Sequence, residues 1–472
     1  MNSVASAGAA LAAALERQRT AFRTEPAPDL AARSRDLDSL ARLLRENKAA
    51  ICAAISADYG HRSTHETLLT EIAPVLAEIQ HARKHLARWM RPERRAVDRL
   101  AYGLVRNRVV PQPLGVVGVI VPWNFPVFLS IGPLVSIFAA GNRAMVKLSE
   151  NSRHLARWMI EHVGAYFPPE KLQFFDETGG IGIEFSKLPF DHLMFTGSGA
   201  VGRAVMAAAA PNLTPVTLEL GGKAPAIVCD DFDMRTAAER ILFIKFLNAG
   251  QICTTVDYAF VPATHVDAFV AHARTIVPAR YPSLGTPDYT SIIDRRAFER
   301  LVATLEDARR RGARVIPLMP EPVIDVERHR IAPHLVLDAP PDSDCMQREI
   351  FGPILPIIPY RQLEEVIERV NLGPRPLAIY PFSHRRERVD QLISRVMSGG
   401  VTVNDALLHV GQEDMPFGGV GESGMGHYHG REGFVTFSKL RPVTYQARWS
   451  TLSLLLPPYK KLADRLLAFF TR

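Results

Sequence analysis

From residue 104 onward the chain alternates short β-branched runs with helical stretches, and this alternation admits few architectures. Residues 104–110 and 116–121, then RAMVKL, KLQFFD, DHLMFTG and PVTLEL, read as strands. HLARWMIEHVGAYF and RAVMAAAAP between them read as helices. Strands separated by helices close most economically into a parallel, doubly wound sheet. A second such series begins at APAIVC and runs through MRTAAERILFIKFLNAG, HVDAFVAHARTIV and FERLVATLEDARRRG to LPIIPY. The expected fold class is therefore α/β, with two doubly wound, Rossmann-like parallel-sheet domains packed about a crevice. Residues 5–90 repeat their apolar positions at helical spacing among many charges and read as amphipathic helices, packing material and not chemistry. No repeat of fixed period and no low-complexity linker interrupts the chain.

Composition narrows the function classes. A chain of 472 residues with 47% apolar and 22% charged residues is of globular type. Its net charge of +7, from 56 basic and 49 acidic residues, is spread without the dense basic and aromatic block that tracks a nucleic-acid backbone, so no nucleic-acid partner is expected. The least charged stretch, residues 109–141, is broken by Pro111, Pro113, Pro122, Pro126 and Pro133 and reads as buried strands and turns, not as a membrane span. Cys52, Cys229, Cys253 and Cys345 form no paired motif, which argues against a zinc site or a redox dithiol and for a reducing, cytoplasmic compartment. The N-terminus lacks the basic start of a signal peptide, so export is not expected. The end of the chain, LSLLLPPYKKLADRLLAFFTR, is apolar with Lys460, Lys461, Arg465 and Arg472 interspersed. The preferred reading is a helix packed on its own protein or on a partner subunit; peripheral contact with a membrane surface is the less favoured one.

Several segments hold residue types that chemistry uses. Gly197-Ser198-Gly199-Ala200-Val201-Gly202 follows one strand and opens a helix, the setting in which glycines let a backbone approach a pyrophosphate and the helix start offers free N–H donors. A plain tight turn has the same form. Glu219 stands seventeen residues past Gly202, near the place of a ribose-binding acid. It is flanked by leucines and followed by Gly221 and Gly222, however, and a carboxyl in apolar surroundings has a raised pKa suited to a general base. A strand-end salt bridge is the bland alternative. Cys253 lies in NAGQICTT, at a helix break where backbone N–H groups can hold a partly exposed thiolate; an isolated cysteine is otherwise a small buried hydrophobe. Asn124 sits between two prolines in PWNFP, as a fixed amide donor for an oxyanion or as a turn residue satisfying backbone groups. Lys147 and Glu150 in KLSE, and Glu349 and Phe351 in EIFGP, put charges beside loop-forming residues.

Together these segments resemble the aldehyde dehydrogenase superfamily: PWNFP, KLSE, FTGSGAVG, LELGGK, GQIC, EIFGP and PFGGVGESGMG occur in that family's order between residues 122 and 426. FDHLMFTGS, MAAAAPNLTPVTLELGGK, VNDALLH and GMGHYHGREGFVTFSKLRPV resemble its class 3 branch, which includes coniferyl-aldehyde and fatty-aldehyde dehydrogenases, and most of all the coniferyl type. The resemblance implies Cys253 as nucleophile, Glu219 as the base that activates the hydrolytic water, and Asn124 as oxyanion donor with the Cys253 N–H. It implies NAD as cofactor, with NADP as a further possibility, bound through Lys147 and Glu150 at the adenosine ribose, Gly197, Ser198 and Gly202 at the pyrophosphate, and Glu349 and Phe351 at the nicotinamide half. No metal is implied.

The same resemblance implies a division of the chain. Residues 1–98 and 114–216 form the NAD-binding domain, residues 217–405 the catalytic domain, and residues 450–472 the amphipathic tail. Residues 99–113 and 430–446 supply the strands of a small β oligomerisation element, most directly at 106–110 and 433–439, and a homodimer is expected. The expected substrate is a small-molecule aldehyde, aromatic such as coniferaldehyde or medium to long aliphatic. Transfer of the acyl group to coenzyme A is the second enzyme reading, which the retained Glu219 opposes. A catalytically dead scaffold is the third, which Cys253, Glu219 and Asn124 together oppose. The chain departs from its nearest pattern at Val256, where a proline is usual; its absence relaxes the backbone close to the thiol.

Overall fold

The computed structural model of the protein describes residues 2–178 and 180–471. Arg472, counted above in the basic tail, lies outside the described residues. Two sheets dominate. The first has six strands in the order Gly424–Met425, Val216–Glu219, His192–Thr196, Val116–Ile120, Arg143–Lys147, Leu172–Phe175, all parallel except the two-residue edge strand Gly424–Met425. The second has seven, in the order Arg314–Pro317, His334–Leu337, Ile354–Tyr360, Tyr258–Pro262, Pro225–Val228, Ala378–Phe382, Gly400–Val401, with only Arg314–Pro317 antiparallel. Helices cover both faces, so the central strands are buried on both sides and their side chains are mostly apolar, as in Val116–Ile120.

One boundary differs from the sequence reading, which placed the second domain from residue 217. Val216–Glu219 pairs parallel with His192–Thr196 and belongs to the first sheet. The break between the units falls after it, at Gly221 and Gly222, where the backbone leaves the strand. Glu219 thus ends a strand of the first sheet, while Cys253 precedes Tyr258–Pro262 of the second.

A third, antiparallel sheet joins Glu93–Arg95, Arg106–Pro113 and Ser438–Tyr445. Two of its expected boundaries are corrected. Residues 99–102 form a helical turn, Arg99–Tyr102, because the Asp98 carboxylate accepts from the N–H groups of Leu100 and Ala101. FVTF, read as strand, is helical as far as Thr436, within Gly430–Thr436, and Phe437 caps that helix. Its β-branched residues favour a strand, but Gly433 lets this helix lie against Ser136 of the helix Phe128–Ala139, and Phe434 packs at a tilt against Trp89. Tertiary burial overrides the local preference.

The N-terminal third is helical as its spacing predicts: Asn2–Thr24, Leu30–Tyr59 and Ala73–Trp89, with a π-helical turn, Leu68–Ile72, leading into the last. Leu30–Tyr59 is capped by Asp29, whose carboxylate accepts the Ala32 N–H at 2.8 Å. Leu30–Tyr59 and Ala73–Trp89 share one apolar core with the first sheet, which also takes in Leu247 and Ile252 beside Cys253, while Asn2–Thr24 packs Leu11, Ala14 and Leu15 into a separate core on that sheet. The tail helix Lys461–Phe470, by contrast, buries only Ala463. Among the described residues no helix is long and apolar enough to cross a membrane.

Candidate active site

Cys253 follows the helix Met234–Phe246 across a tight turn in which Asn248 (φ 51°) and Ala249 (φ 50°) both adopt left-handed backbone. Such residues cost about 1–3 kcal/mol each and persist only where their surroundings over-determine them. Here they do. The Glu66 carboxylate accepts the Asn248 N–H at 3.0 Å, the Gln251 side chain donates to the Asn248 carbonyl at 3.0 Å, and its own oxygen accepts the Ile293 N–H at 3.0 Å. Beyond the thiol, the Tyr380 hydroxyl donates to the Thr254 carbonyl. Val256, the departure from the usual proline, is fully buried in the core of the second sheet, which restrains the backbone there by packing.

Cys253 is the half-buried one of four free cysteines and borders an apolar cavity of about 360 Å³. Phe125, Phe128, Phe243, Leu247, Leu408 and Phe417 line it. The thiolate expected from the helix break is not favoured in this state. Burial pushes the thiol up to about 12, and the charges of Glu349 and Glu219 push in the same direction.

Glu219 is 2% exposed, and neither carboxyl oxygen has a hydrogen-bond partner. Among the described residues it makes no salt bridge, and burial raises its pKa well above the usual carboxylate range. Asn124 is also buried. Its side-chain amide donates to the Gln251 carbonyl at 3.2 Å, two residues before Cys253, so the PWNFP loop and the cysteine loop are tied directly. Three elements of two sheets therefore bring Cys253, Glu219 and Asn124 to one place.

The residues expected to hold the cofactor occupy the carboxyl ends of the first sheet and the loop from the second. Ser198 caps the helix Gly199–Ala209, its hydroxyl accepting the Val201 N–H at 3.4 Å. Gly197 donates its N–H to the Glu219 carbonyl at 3.0 Å, and a side chain at Gly202 would meet Leu220. Lys147 ends Arg143–Lys147, but its amine pairs with Glu177, which the sequence reading missed, while Glu150 is exposed and accepts from the Ser149 hydroxyl at 3.1 Å. Nothing local in DETGG marks Glu177 as Lys147's partner, since the two meet only across adjacent parallel strands. Burial holds the Lys147 amine below the ordinary lysine range, with Glu150 opposing that shift. A crevice of about 450 Å³ lies between Ser149, Glu150, Arg153 and Glu177. Carboxylates for ribose hydroxyls, free N–H groups at a helix start and a glycine where the backbone must come close fit a dinucleotide.

Glu349 accepts the Gly222 N–H at 3.2 Å, and burial, reinforced by the charge of Asp257, raises it to about 8. Phe351, at φ 49°, meets Trp123 of the PWNFP loop edge to face at 5.5 Å. Lys223 holds this loop in place, pairing with Asp257 and donating to the carbonyls of Cys345 and Arg348 at 2.9 Å each. Among the described residues no cluster of side chains suits a metal ion.

Two doubly wound sheets, a cysteine beside an unpartnered buried carboxylate, and an amide tethered to the cysteine loop define an enzyme of the nucleotide-dependent, covalent-catalysis class. The chain belongs to the Aldehyde dehydrogenase family, whose family model matches residues 2–443. It is 48% identical over 457 residues, 97% of this chain and 95% of the relative, to a probable coniferyl aldehyde dehydrogenase of Pseudomonas aeruginosa. Among solved structures it is similar to the substrate-bound AldH of Staphylococcus aureus, with a TM-score of 0.91 and 33% identity over 97% of this chain and 98% of that one. It also resembles an aldehyde dehydrogenase of Mycobacterium tuberculosis complexed with NAD+, with a TM-score of 0.82 and 26% identity over 93% and 90% of the two chains.

Proposed function

We propose that this aldehyde dehydrogenase oxidises an aromatic aldehyde of the coniferaldehyde type to the carboxylic acid with NAD(P), through a thioester on Cys253. The observation that carries the reading is the apolar, aromatic-lined cavity that opens onto Cys253, together with the likeness to a probable coniferyl aldehyde dehydrogenase. A planar ring matches the phenylalanine walls, and the aldehyde carbon then faces the sulfur.

Cys253 sulfur, once deprotonated, adds to the aldehyde carbon, and the carbonyl oxygen becomes an oxyanion. The Asn124 side-chain N–H and the Cys253 backbone N–H stabilise it. A nicotinamide held by Glu349 and Phe351 would supply the hydride acceptor needed to convert the adduct to a thioester. Glu219 then takes a proton from water, the resulting hydroxide adds to the acyl carbon, the C–S bond breaks, and the acid leaves with the thiol regenerated. Burial suits Glu219 to this role, because its raised pKa makes it a stronger base. Gly197, Ser198 and Gly202 would seat the pyrophosphate, Lys147 and Glu150 the adenosine ribose, and Glu349 and Phe351 the nicotinamide half. Glu150, exposed on the adenosine side, favours NAD over NADP, since a 2′-phosphate would meet its negative charge there, whereas the charge of Glu177 is offset by Lys147.

The assembly reading is a homodimer, supported by the edge strand Ser438–Tyr445, whose residues are mostly exposed and whose outer edge is unpaired among the described residues. The compartment is reducing, in keeping with four free cysteines. The test is NADH formation with a panel from coniferaldehyde and benzaldehyde to hexanal and dodecanal, with and without coenzyme A, beside Cys253→Ala. Turnover without coenzyme A that vanishes in the variant supports the mechanism; turnover only with coenzyme A makes the enzyme acylating.

A further inference from the structure

The helical N-terminal part holds a pair of opposite charges, Arg62 and Glu71, 2.6 Å apart with both side chains 0% exposed. Withdrawing two charges from water rarely stabilises a fold relative to well-packed apolar residues of the same size. The pair's remaining hydrogen bonds show where it acts. Arg62 Nη1 also donates to the Asn124 carbonyl at 3.0 Å. Glu71 Oε2 accepts the N–H of Val127 at 2.7 Å and that of Phe128 at 3.3 Å. Between those two grips the guanidinium lies over the rings of Phe125, at 4.9 Å, and Tyr59, at 5.2 Å. The Tyr59 hydroxyl adds a second donor to the Asn124 carbonyl at 3.0 Å, and the Asn248 amide a third at 3.4 Å. Glu71 is carried by the π-helical turn Leu68–Ile72, a local irregularity of the kind that recurs at functional sites.

The prolines on either side of the loop limit φ but leave the Asn124 peptide free to rotate. The aim of the Asn124 amide depends on that rotation, and the carbonyl that reports it is held by three donors. We propose that Arg62 and Glu71 are a positioning pair for the oxyanion donor: they fix the Asn124 peptide plane and so serve the attack of Cys253 on the aldehyde. The proposal rests on the reading of Asn124 given above. Helices that look like packing material in the sequence thus reach the reacting centre through one peptide carbonyl.

The test uses the full chain and follows the first-turnover rate of NADH formation, with NAD+ affinity and melting temperature recorded for each variant. Arg62→Lys keeps the charge but loses the planar fork, and Tyr59→Phe removes a neutral donor to the same carbonyl without stranding a charge. Arg62→Lys is expected to slow the first turnover by about 10–100-fold and Tyr59→Phe by several-fold, with NAD+ affinity unchanged. In an Asn124→Ala background each is expected to slow it by less than about twofold further, because the donor they aim is gone. Losses that multiply undiminished in that background, or a wild-type rate for Arg62→Lys, overturn the positioning role and leave Asn124 itself untouched. A wild-type rate for Asn124→Ala alone overturns the oxyanion reading, and the positioning pair with it.

Discussion

Glu349, in the loop leading to Ile354–Tyr360 of the second sheet, reaches the break between the two units, its carboxylate accepting the Gly222 N–H at 3.2 Å just beyond the strand that ends in Glu219. From there its charge adds to burial in holding the Cys253 thiol at about 12. The sign is clear: a raised thiol pKa means less thiolate at any given pH. Iodoacetamide labelling of Cys253 in cofactor-free enzyme, read by peptide mass spectrometry, is expected to be slow at neutral pH and to quicken about tenfold per pH unit up to roughly pH 9. Glu349→Gln should quicken it further, most visibly above the Glu349 value of about 8. Labelling that is fast and flat across this range would show a thiolate already formed.

The proposed preference for NAD over NADP rests on the charge of Glu150. Glu177 pairs with the Lys147 amine, and Glu150 stands exposed at the mouth of the same crevice. Glu150→Gln removes one negative charge from the place of the 2′-phosphate. It is expected to lower KM for NADP relative to NAD by about tenfold, the effect of roughly 1.4 kcal/mol at effective dielectrics typical of a protein surface. An unchanged ratio of kcat/KM for the two cofactors would place the 2′ position elsewhere.

The sequence showed the alternation of strands and helices, and the motifs lay at strand ends as expected for doubly wound sheets. What it hid were contacts between distant segments. Lys147 and Glu150 are neighbours in KLSE, yet Lys147 pairs with Glu177, because parallel strands bring loops together that are far apart in the chain. Arg62 and Glu71 carry no motif at all; their meaning is the Asn124 carbonyl. FVTF misled because strand propensity was read where helix packing against Ser136 decides. Glu219 was legible as a buried acid from its flanking leucines, but that it has no partner emerges only in three dimensions.

Phe243 lines the cavity at Cys253 and is 41% exposed, so it forms the rim and not the floor. Truncation there removes contact made equally in ground and transition states. Phe243→Ala is expected to raise KM for coniferaldehyde several-fold with kcat nearly unchanged. A fall in kcat at constant KM would mean that the ring helps orient the aldehyde for attack.

The tail presents Trp449, Leu456, Tyr459, Leu462 and Phe469 to solvent, each more than half exposed, beside Lys460, Lys461 and Arg465. Of the two packing sites weighed from sequence, the body of its own chain is not the one used: the helix Lys461–Phe470 buries only Ala463. Ahead of the helix, the Thr451 hydroxyl donates to the Ala101 carbonyl at 2.8 Å. An element that buries so little adds little to folding, so a chain ending at Leu452 is expected to melt within about 2 °C of the full chain in its monomeric form. The partner subunit and an anionic membrane surface then separate cleanly. A drop from dimer to monomer on truncation, seen by light scattering, assigns the tail to the partner. Loss of binding to anionic liposomes with the dimer intact assigns it to the membrane, and equal liposome binding by both chains ends the membrane reading.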